Sequence, residues 1–251
     1  METPEFWTAA VVAAICVGIG KGGIPLVGML GVPVFALVIS PVVAAGILLP
    51  VFVISDMFGL WAYRHALDRR VLAILLPGAV VGVAFGWATA HVVPEAAVTA
   101  LVGGIGVSFA LYTLLRPGGA GAARPARVGP GLFWGTLAGF TSFVSHSGAP
   151  LYQIYTLPLR LEKTVFAGTA TVFFAVINVV KLLPYWQLGQ FSPGNLKLAF
   201  VLAVPAAMAV FAGVALVRRL PERLFFRLVV WALLLVSLKL LRDGAAGLGL
   251  I

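Results

Sequence analysis

The chain contains little cysteine and little charge, and both scarcities exclude whole classes of protein. Cys16 is its one cysteine, which excludes an intramolecular disulfide and a cysteine-based metal cluster. Charged residues make up 10% of the 251 residues, against about 25% in soluble domains, while 61% are hydrophobic. A soluble domain of this size cannot bury so much apolar surface. The sequence therefore predicts a protein that lies in a lipid bilayer.

Acidic residues are scarce as well. The chain has 8 Asp and Glu against 17 Lys and Arg, which gives a net charge of +9. Most of the arginines lie in short loops between apolar runs, and this distribution marks the cytoplasmic loops of membrane proteins. We therefore expect the lipid bilayer, and no nucleic acid, as a partner.

Long apolar runs account for the hydrophobic excess. Each is close to the roughly 20 residues that cross a bilayer core as a helix. The runs lie at residues 42–62, 71–93, 96–115, 166–186, 198–217 and 224–241. They predict an all-α polytopic membrane protein.

Two polar interruptions divide otherwise apolar stretches. The first is Gly20-Lys21-Gly22-Gly23, followed by Pro25, and the second is Ser145-His146-Ser147-Gly148, followed by Pro150. The two halves of the chain align with an offset of 122 to 128 residues, which also matches Asp56 to Asn178. Interrupted segments at corresponding positions of two repeats indicate the substrate site of a secondary transporter.

Loop charges decide how each interrupted segment meets the membrane. Three basic loops contain Arg64–Arg70, Arg116–Arg127 and Arg218–Arg223, and the positive-inside rule assigns all three to the cytoplasm. If each interrupted segment crossed once, the last of these loops would lie outside. If each is a re-entrant hairpin, all three lie inside. The hairpin topology is therefore our prediction, and three crossings per half make the two repeats inverted.

Each repeat is thus predicted to contain one re-entrant hairpin and three transmembrane helices. The first repeat covers residues 1–116, with the hairpin at about 6–39 and helices at about 42–63, 71–93 and 96–115. Residues 117–131, rich in Gly, Ala, Pro and Arg, form a cytoplasmic linker. The second repeat covers residues 132–251, with the hairpin at about 132–157 and helices at about 164–186, 197–217 and 223–242.

The interruptions have the chemistry of an anion site. Half-helices that start near Pro25 and Pro150 would point N–H groups and positive dipole ends at the bilayer midplane. Lys21 adds an intramembrane cation, which indicates a functional site. The alternative is that the glycines only permit close helix packing. The candidate substrate-binding residues are Gly20, Lys21, Gly22, Gly23, Ser142, Ser145, His146, Ser147, Gly148, Asn178 and Lys181.

Two more features bear on the mechanism. Thr171, Asn178 and Lys181 share one helix face and form a polar stripe. Asp56 is either a structural ion-pair partner of a lysine or a carrier of coupling protons, and His146 is the second coupling candidate. No His, Cys or Asp cluster has the spacing of metal ligands, so we expect no metal and no cofactor.

Serines beside His146 also fit an intramembrane hydrolase. Adjacent residues do not normally form a Ser–His pair in line for attack, however. We therefore predict a protein that is not an enzyme and keep the hydrolase as the least favoured alternative.

The residues around both interruptions resemble the sulfite exporter TauE/SafE family, also called the four-toluene-sulfonate uptake permease family, of bacterial membrane transporters. The stretch Gly18–Gly23, with Pro25 following, is similar to the Gly-rich signature of that family. The stretches Gly139–Pro150 and Gly168–Tyr185 are similar to a form common in bacterial members. Lys21 and Ser147 depart from the family pattern, where Gly is frequent at the first position and Gly or Ala at the second.

The resemblance implies a multi-pass transporter in the bacterial cytoplasmic (inner) membrane. Its substrate would be a small sulfur-containing anion such as sulfite, a sulfonate or thiosulfate. We expect alternating access around a midplane anion site, and a passive anion channel that uses the same site is the alternative. Coupling to protons or sodium, and assembly into a homo-oligomer, stay open.

Overall fold

The fold is all-helical in the computed structural model, which describes residues 3–115 and 123–250. Arg116 and residues 117–122 of the predicted linker lie outside the described residues. One 3₁₀ helix, Leu157–Leu159, accompanies the α-helices. The α-helices are α1 Pro4–Lys21, α2 Pro25–Gly28, α3 Gly31–Phe35, α4 Pro41–Tyr63, α5 Arg69–Ala88, α6 Glu95–Leu115, α7 Val128–Ser145, α8 Gly148–Thr156, α9 Lys163–Gln187, α10 Pro193–Arg219 and α11 Glu222–Gly247.

Helices long and apolar enough to cross a bilayer dominate the described part of the chain. These helices are α1, α4, α5, α6, α9, α10 and α11. The prediction of an all-α, multi-pass membrane protein is confirmed. The inverted relation between the two repeats stays a prediction.

Capping residues fix where several of these helices begin. The side chains of Thr3, Ser40, Asp68 and Ser192 each accept a hydrogen bond from a backbone N–H in the first turn of α1, α4, α5 and α10. These are preferred N-cap residues because their oxygen satisfies an N–H that has no partner within the helix. A proline, whose missing N–H costs nothing there, opens α1, α4 and α10.

The first interrupted segment folds back on itself. The chain turns after α1 at Gly22 and at Gly23, whose φ of 111° favours glycine. Gly28 packs closely against Gly20: a Cβ built on Gly20 would lie only 2.4 Å from the Gly28 Cα. Further along, the rings of Phe35 and Phe6 lie 5.4 Å apart. Residues 6–35 therefore form an antiparallel hairpin, whose position in a membrane stays a prediction.

The second interrupted segment is also a hairpin, made of α7 and α8. It turns at His146, which adopts the left-handed conformation with φ 54°. Near the turn, Ser147 N donates to Thr141 O at 3.2 Å. At the far end, Tyr155 Oη donates to Arg127 O at 3.1 Å. These two pairings show that the arms run in opposite directions.

The described residues fall into two compact units that draw on both predicted repeats. The first unit comprises α1–α4, α9 and α10, and the second comprises α5–α8 and α11. Within the first unit α1 packs on α10 and α10 on α4, and within the second α7 packs on α5 and α11 on α6. Each unit thus contains one hairpin together with helices from both halves of the sequence. The repeat boundaries themselves stay a prediction.

Small residues let the helices within each unit approach closely. In the first unit, a Cβ built on Gly18 would lie 2.1 Å from Ala206 O of α10. In the second, a Cβ built on Gly139 would lie 2.0 Å from Ala79 O of α5. Close backbone contact of this kind is the usual way in which helices associate in lipid. The hairpins are therefore held by backbone packing against their neighbours.

Candidate functional site

An ion pair lies at the first interruption. Lys21 is the last residue of α1, and its Nζ lies 2.7 Å from Oδ1 of Asp56 on α4. Both side chains are buried, with relative exposures of 6% and 3%. The Lys21 ammonium also lies 5.1 Å from the centre of the Phe52 ring, one turn before Asp56. The end of α1 therefore places the Lys21 ammonium group next to the Asp56 carboxylate within the first unit.

Asn178 on α9 completes the coordination of this carboxylate. Its Nδ2 donates to Asp56 Oδ2 at 2.9 Å, so each carboxylate oxygen faces a different partner. Asp56 and Asn178 are also the residues that the alignment of the two halves places at corresponding positions. The structure thus brings together three predicted site residues, namely Lys21, Asp56 and Asn178.

Lys181 belongs to the same polar region. It follows Asn178 by three residues on α9, is fully buried, and lies 5.8 Å from the Tyr185 ring centre. It lies within electrostatic range of both Lys21 and Asp56. Two turns before Asn178, Thr171 Oγ1 lies 3.3 Å from Lys21 O. The predicted polar stripe of α9 is therefore buried and faces the first interruption.

The charges of this cluster do not cancel. Among the described residues, the buried charged side chains are Lys21, Asp56 and Lys181. When all three are ionised, two cations face one carboxylate, which leaves one positive charge in a water-poor interior. An uncompensated buried charge costs several kcal/mol. A role for this cluster in binding an anion stays a prediction.

The turn of the first hairpin is stabilised from within. The N–H groups of Gly22 and Gly23 donate to Gly18 O and Gly20 O, and Tyr63 Oη donates to Gly22 O at 2.6 Å. These two N–H groups are therefore engaged in the turn. The helix that follows, α2, has four residues, too few for a strong N-terminal dipole.

The glycines of this turn also have packing contacts. Gly20 packs on Gly28, and a Cβ built on Gly22 would lie 2.6 Å from the Gly213 Cα on α10. Close packing, the alternative that the sequence left open, thus describes the contacts of Gly20 and Gly22. A role for Gly20, Gly22 and Gly23 in substrate binding stays a prediction.

The second interruption forms a cluster of hydroxyl groups in the second unit. Ser145 Oγ lies 2.9 Å from Ser147 Oγ, and Ser147 Oγ donates to Ser145 O at 3.0 Å. Ser147 and Ser142 are buried, and His146 sits at the turn in a left-handed conformation. Gly148 begins α8. The structure thus groups these predicted residues with one another, and their participation in one site with Lys21 stays a prediction.

Two buried polar side chains, those of Ser55 and Gln153, are not among the site residues predicted from the sequence. Ser55, next to Asp56, is fully buried and its Oγ has no hydrogen-bond partner among the described residues. Gln153 on α8 is also fully buried, and neither Oε1 nor Nε2 has such a partner. A buried polar group left unsatisfied costs about 1–3 kcal/mol. The one signal in the sequence was their position, because Ser55 adjoins an intramembrane aspartate and Gln153 lies in a short hairpin arm.

Comparison with known proteins adds one positive finding. A family model described as TauE, Sulfite exporter TauE/SafE, matches residues 8–240. No curated protein and no solved structure matches the chain. The matched range contains both interruptions and all of Lys21, Asp56, Asn178 and Lys181.

Proposed function

We propose a substrate class and a mechanism on the premise that this chain belongs to the sulfite exporter TauE/SafE family, a family of membrane transporters. In our proposal it is a secondary transporter of small sulfur-containing anions, such as sulfite, a sulfonate or thiosulfate, in the bacterial cytoplasmic membrane. The observation that carries this proposal is the excess of positive charge in the buried cluster of Lys21, Asp56 and Lys181.

The anion would bind beside the Lys21–Asp56 pair. An ammonium group has three N–H donors, and Asp56 Oδ1 faces one side of the Lys21 Nζ. The remaining donors of Lys21, with the positive charge of Lys181, suit the oxygen atoms of a sulfite or sulfonate group. Hydrogen bonds to charged partners contribute about 1.5–3 kcal/mol each. Asn178 would hold the Asp56 carboxylate in place while the anion enters.

Asp56 gives this site a route to proton coupling. In the ionised state its carboxylate competes with a substrate anion for Lys21, because both are negative and both need the same ammonium group. A proton on Asp56 removes that competition and raises the charge of the cluster from one to two. A proton that enters with each anion would therefore favour loading, and its release would favour unloading. Sodium is the alternative coupling ion.

The second interruption is the further candidate for substrate contact. Ser142, Ser145, His146, Ser147 and Gly148 offer hydroxyl, imidazole and backbone donors that suit an oxyanion. In our proposal the two hairpins contribute to an alternating-access cycle, as interrupted helices do in other transporters. The passive channel would use the same residues without accumulating its substrate.

Uptake into proteoliposomes tests the proposal. Wild-type protein under an imposed pH gradient should accumulate labelled sulfite or thiosulfate above the external concentration. Lys21→Gln should reduce uptake at least tenfold, since it removes the charge that binds the anion, while the exposed control Lys197→Gln should leave it unchanged. Equal uptake by wild type and Lys21→Gln would contradict the site. Equilibration without accumulation would support the channel.

A further inference from the structure

A cavity with two arginines in its lining opens in the second unit, near the end of the second hairpin that lies away from its turn. Its volume is about 410 Å³, and its lining includes Arg124, Arg127, Tyr155 and Trp134. Both arginine residues are exposed. Two guanidinium groups at the mouth of a cavity favour an anionic ligand, since each presents several N–H donors in a planar fork.

Three hydrogen bonds hold the backbone of the segment that carries these arginines. Arg124 N donates to Pro158 O at 3.0 Å, and Tyr155 Oη donates to Arg127 O at 3.1 Å. Between them, Arg70 Nη2 lies 3.5 Å from Ala126 O and brings a third guanidinium group to this segment. The segment 124–127 is therefore held against the second hairpin and α5, which preorganises the basic mouth of the cavity.

An apolar groove continues from the cavity. Trp134 and Ile154 line both the cavity and the groove, so the two are contiguous. The groove, of about 810 Å³, follows α6 from Ala97 to Tyr112 and is lined almost wholly by apolar side chains. These residues span roughly 22 Å at 1.5 Å per residue, more than the roughly 15 Å depth of one leaflet. A Cβ built on Gly104 would meet nothing within 4 Å, so the groove is open there.

We propose that this basic cavity and apolar groove together bind one anionic phospholipid. The phosphate would lie between Arg124 and Arg127, and an acyl chain would lie along α6. The basic cavity suits the headgroup of such a lipid, and the apolar groove suits an acyl chain. The positive-inside rule predicts that the loop with Arg124 and Arg127 faces the cytoplasm. Basic pockets beside transmembrane helices recognise anionic headgroups on that side of the membrane. Trp134, at the junction, suits the boundary between headgroup and hydrocarbon, where its amphipathic ring is favoured.

Native mass spectrometry of the purified full chain tests this site. Protein would be titrated with phosphatidylglycerol or with phosphatidylcholine of the same acyl chains. Wild type should bind one phosphatidylglycerol more tightly than phosphatidylcholine. Arg124→Gln with Arg127→Gln should weaken that binding about 25-fold, at roughly fivefold for each arginine near the membrane surface. The matched control, Arg219→Gln with Arg223→Gln, removes two exposed arginines from another basic turn and should change it less than twofold.

The groove is tested by filling it. Gly104→Leu should weaken phosphatidylglycerol binding at least fivefold without lowering thermal stability, because its side chain enters open space. Gly194→Leu, at an exposed glycine of the first unit, is the matched control and should have no effect. Equal phosphatidylglycerol binding by wild type and the double Arg124/Arg127 variant would overturn the proposal. So would inorganic phosphate competing at the same concentration as the lipid, because the cavity would then be a site for free anions.

Discussion

Replacing Asp56 with Asn should destabilise the protein more than removing either lysine beside it. The substitution keeps the shape of the side chain and removes its charge. Lys21 and Lys181 then remain as two buried ammonium groups with no buried carboxylate among the described residues to balance them. Lys21→Met should destabilise the protein less, since it leaves Asp56 and Lys181, whose charges cancel. Removing the charge of Asp56 is thus predicted to cost more stability than removing the charge of its partner Lys21.

The size of the difference follows from burial. Breaking a buried ion pair by removal of one partner costs about 3–5 kcal/mol. For chains of this length about 1 kcal/mol shifts the unfolding midpoint by 2–4 °C, so Asp56→Asn should lower it by roughly 6–20 °C. Lys21→Met should lower it by less than half as much, because Lys181 lies within electrostatic range of Asp56. The unfolding midpoint of the double variant, Asp56→Asn with Lys21→Met, should fall between the midpoints of the two single variants.

Thermal unfolding of the detergent-purified variants measures this order, with exposed Lys197→Met as the matched control for loss of a lysine. A substrate anion should raise the midpoint of Asp56→Asn more than that of wild type, because it replaces the missing negative charge. Equal destabilisation by Asp56→Asn and Lys21→Met would refute the charge balance that we assign to the cluster. An unchanged midpoint for Asp56→Asn would do the same.

Further substitutions test other parts of the account by thermal unfolding. Tyr63→Phe removes the hydroxyl that donates to Gly22 O at 2.6 Å and should cost about 1–3 kcal/mol, the price of an unsatisfied buried carbonyl; no loss would show that the turn holds without it. Gly18→Ala places a Cβ 2.1 Å from a carbonyl oxygen of α10 and should cost about 1–3 kcal/mol, whereas Gly104→Ala should be neutral, and equal effects would contradict the packing of α1. Gln153→Leu removes two unsatisfied polar atoms and should leave stability unchanged or increase it, while lower stability would indicate that the amide has a partner.

Much of the fold could be predicted because lipid imposes strong rules on sequence. A bilayer requires about 20 apolar residues per helix, so composition and run length alone predicted an all-α membrane protein. Ser40, Asp68 and Ser192 stand where capping chemistry starts a helix. Caps of this kind depend on local sequence and do not require knowledge of which helices pack together.

The composition of the two compact units could not be read in this way. The sequence predicts two consecutive repeats, and within each compact unit the contacts unite helices from both of them, α1 with α10 and α7 with α5. These pairings depend on glycines and alanines that fit one backbone against another, as at Gly18 and Gly139. Small residues are common throughout membrane helices, so their presence does not identify the partner.

The candidate site was partly predictable for a related reason. A charged residue at membrane depth is conspicuous, so Lys21, Asp56 and Lys181 were identified at once. The pairing of Asp56 with Lys21 required coordinates, since it depends on where α1 ends relative to α4. Ser55 and Gln153 were missed because uncharged polar residues are frequent in membrane helices and their lack of partners is visible only in three dimensions.

Anion-dependent thermal stabilisation tests the central claim most directly. Wild type, Lys21→Gln and Lys197→Gln would be heated with sulfite, thiosulfate, a sulfonate, sulfate or chloride at equal ionic strength. At 100 times Kd a ligand stabilises by about 2.7 kcal/mol, or roughly 5–11 °C at this chain length. Our account predicts that shift with a sulfur-containing anion for wild type and Lys197→Gln, and its loss in Lys21→Gln. The same shift in Lys21→Gln, or no shift of wild type with any of these anions, would contradict it.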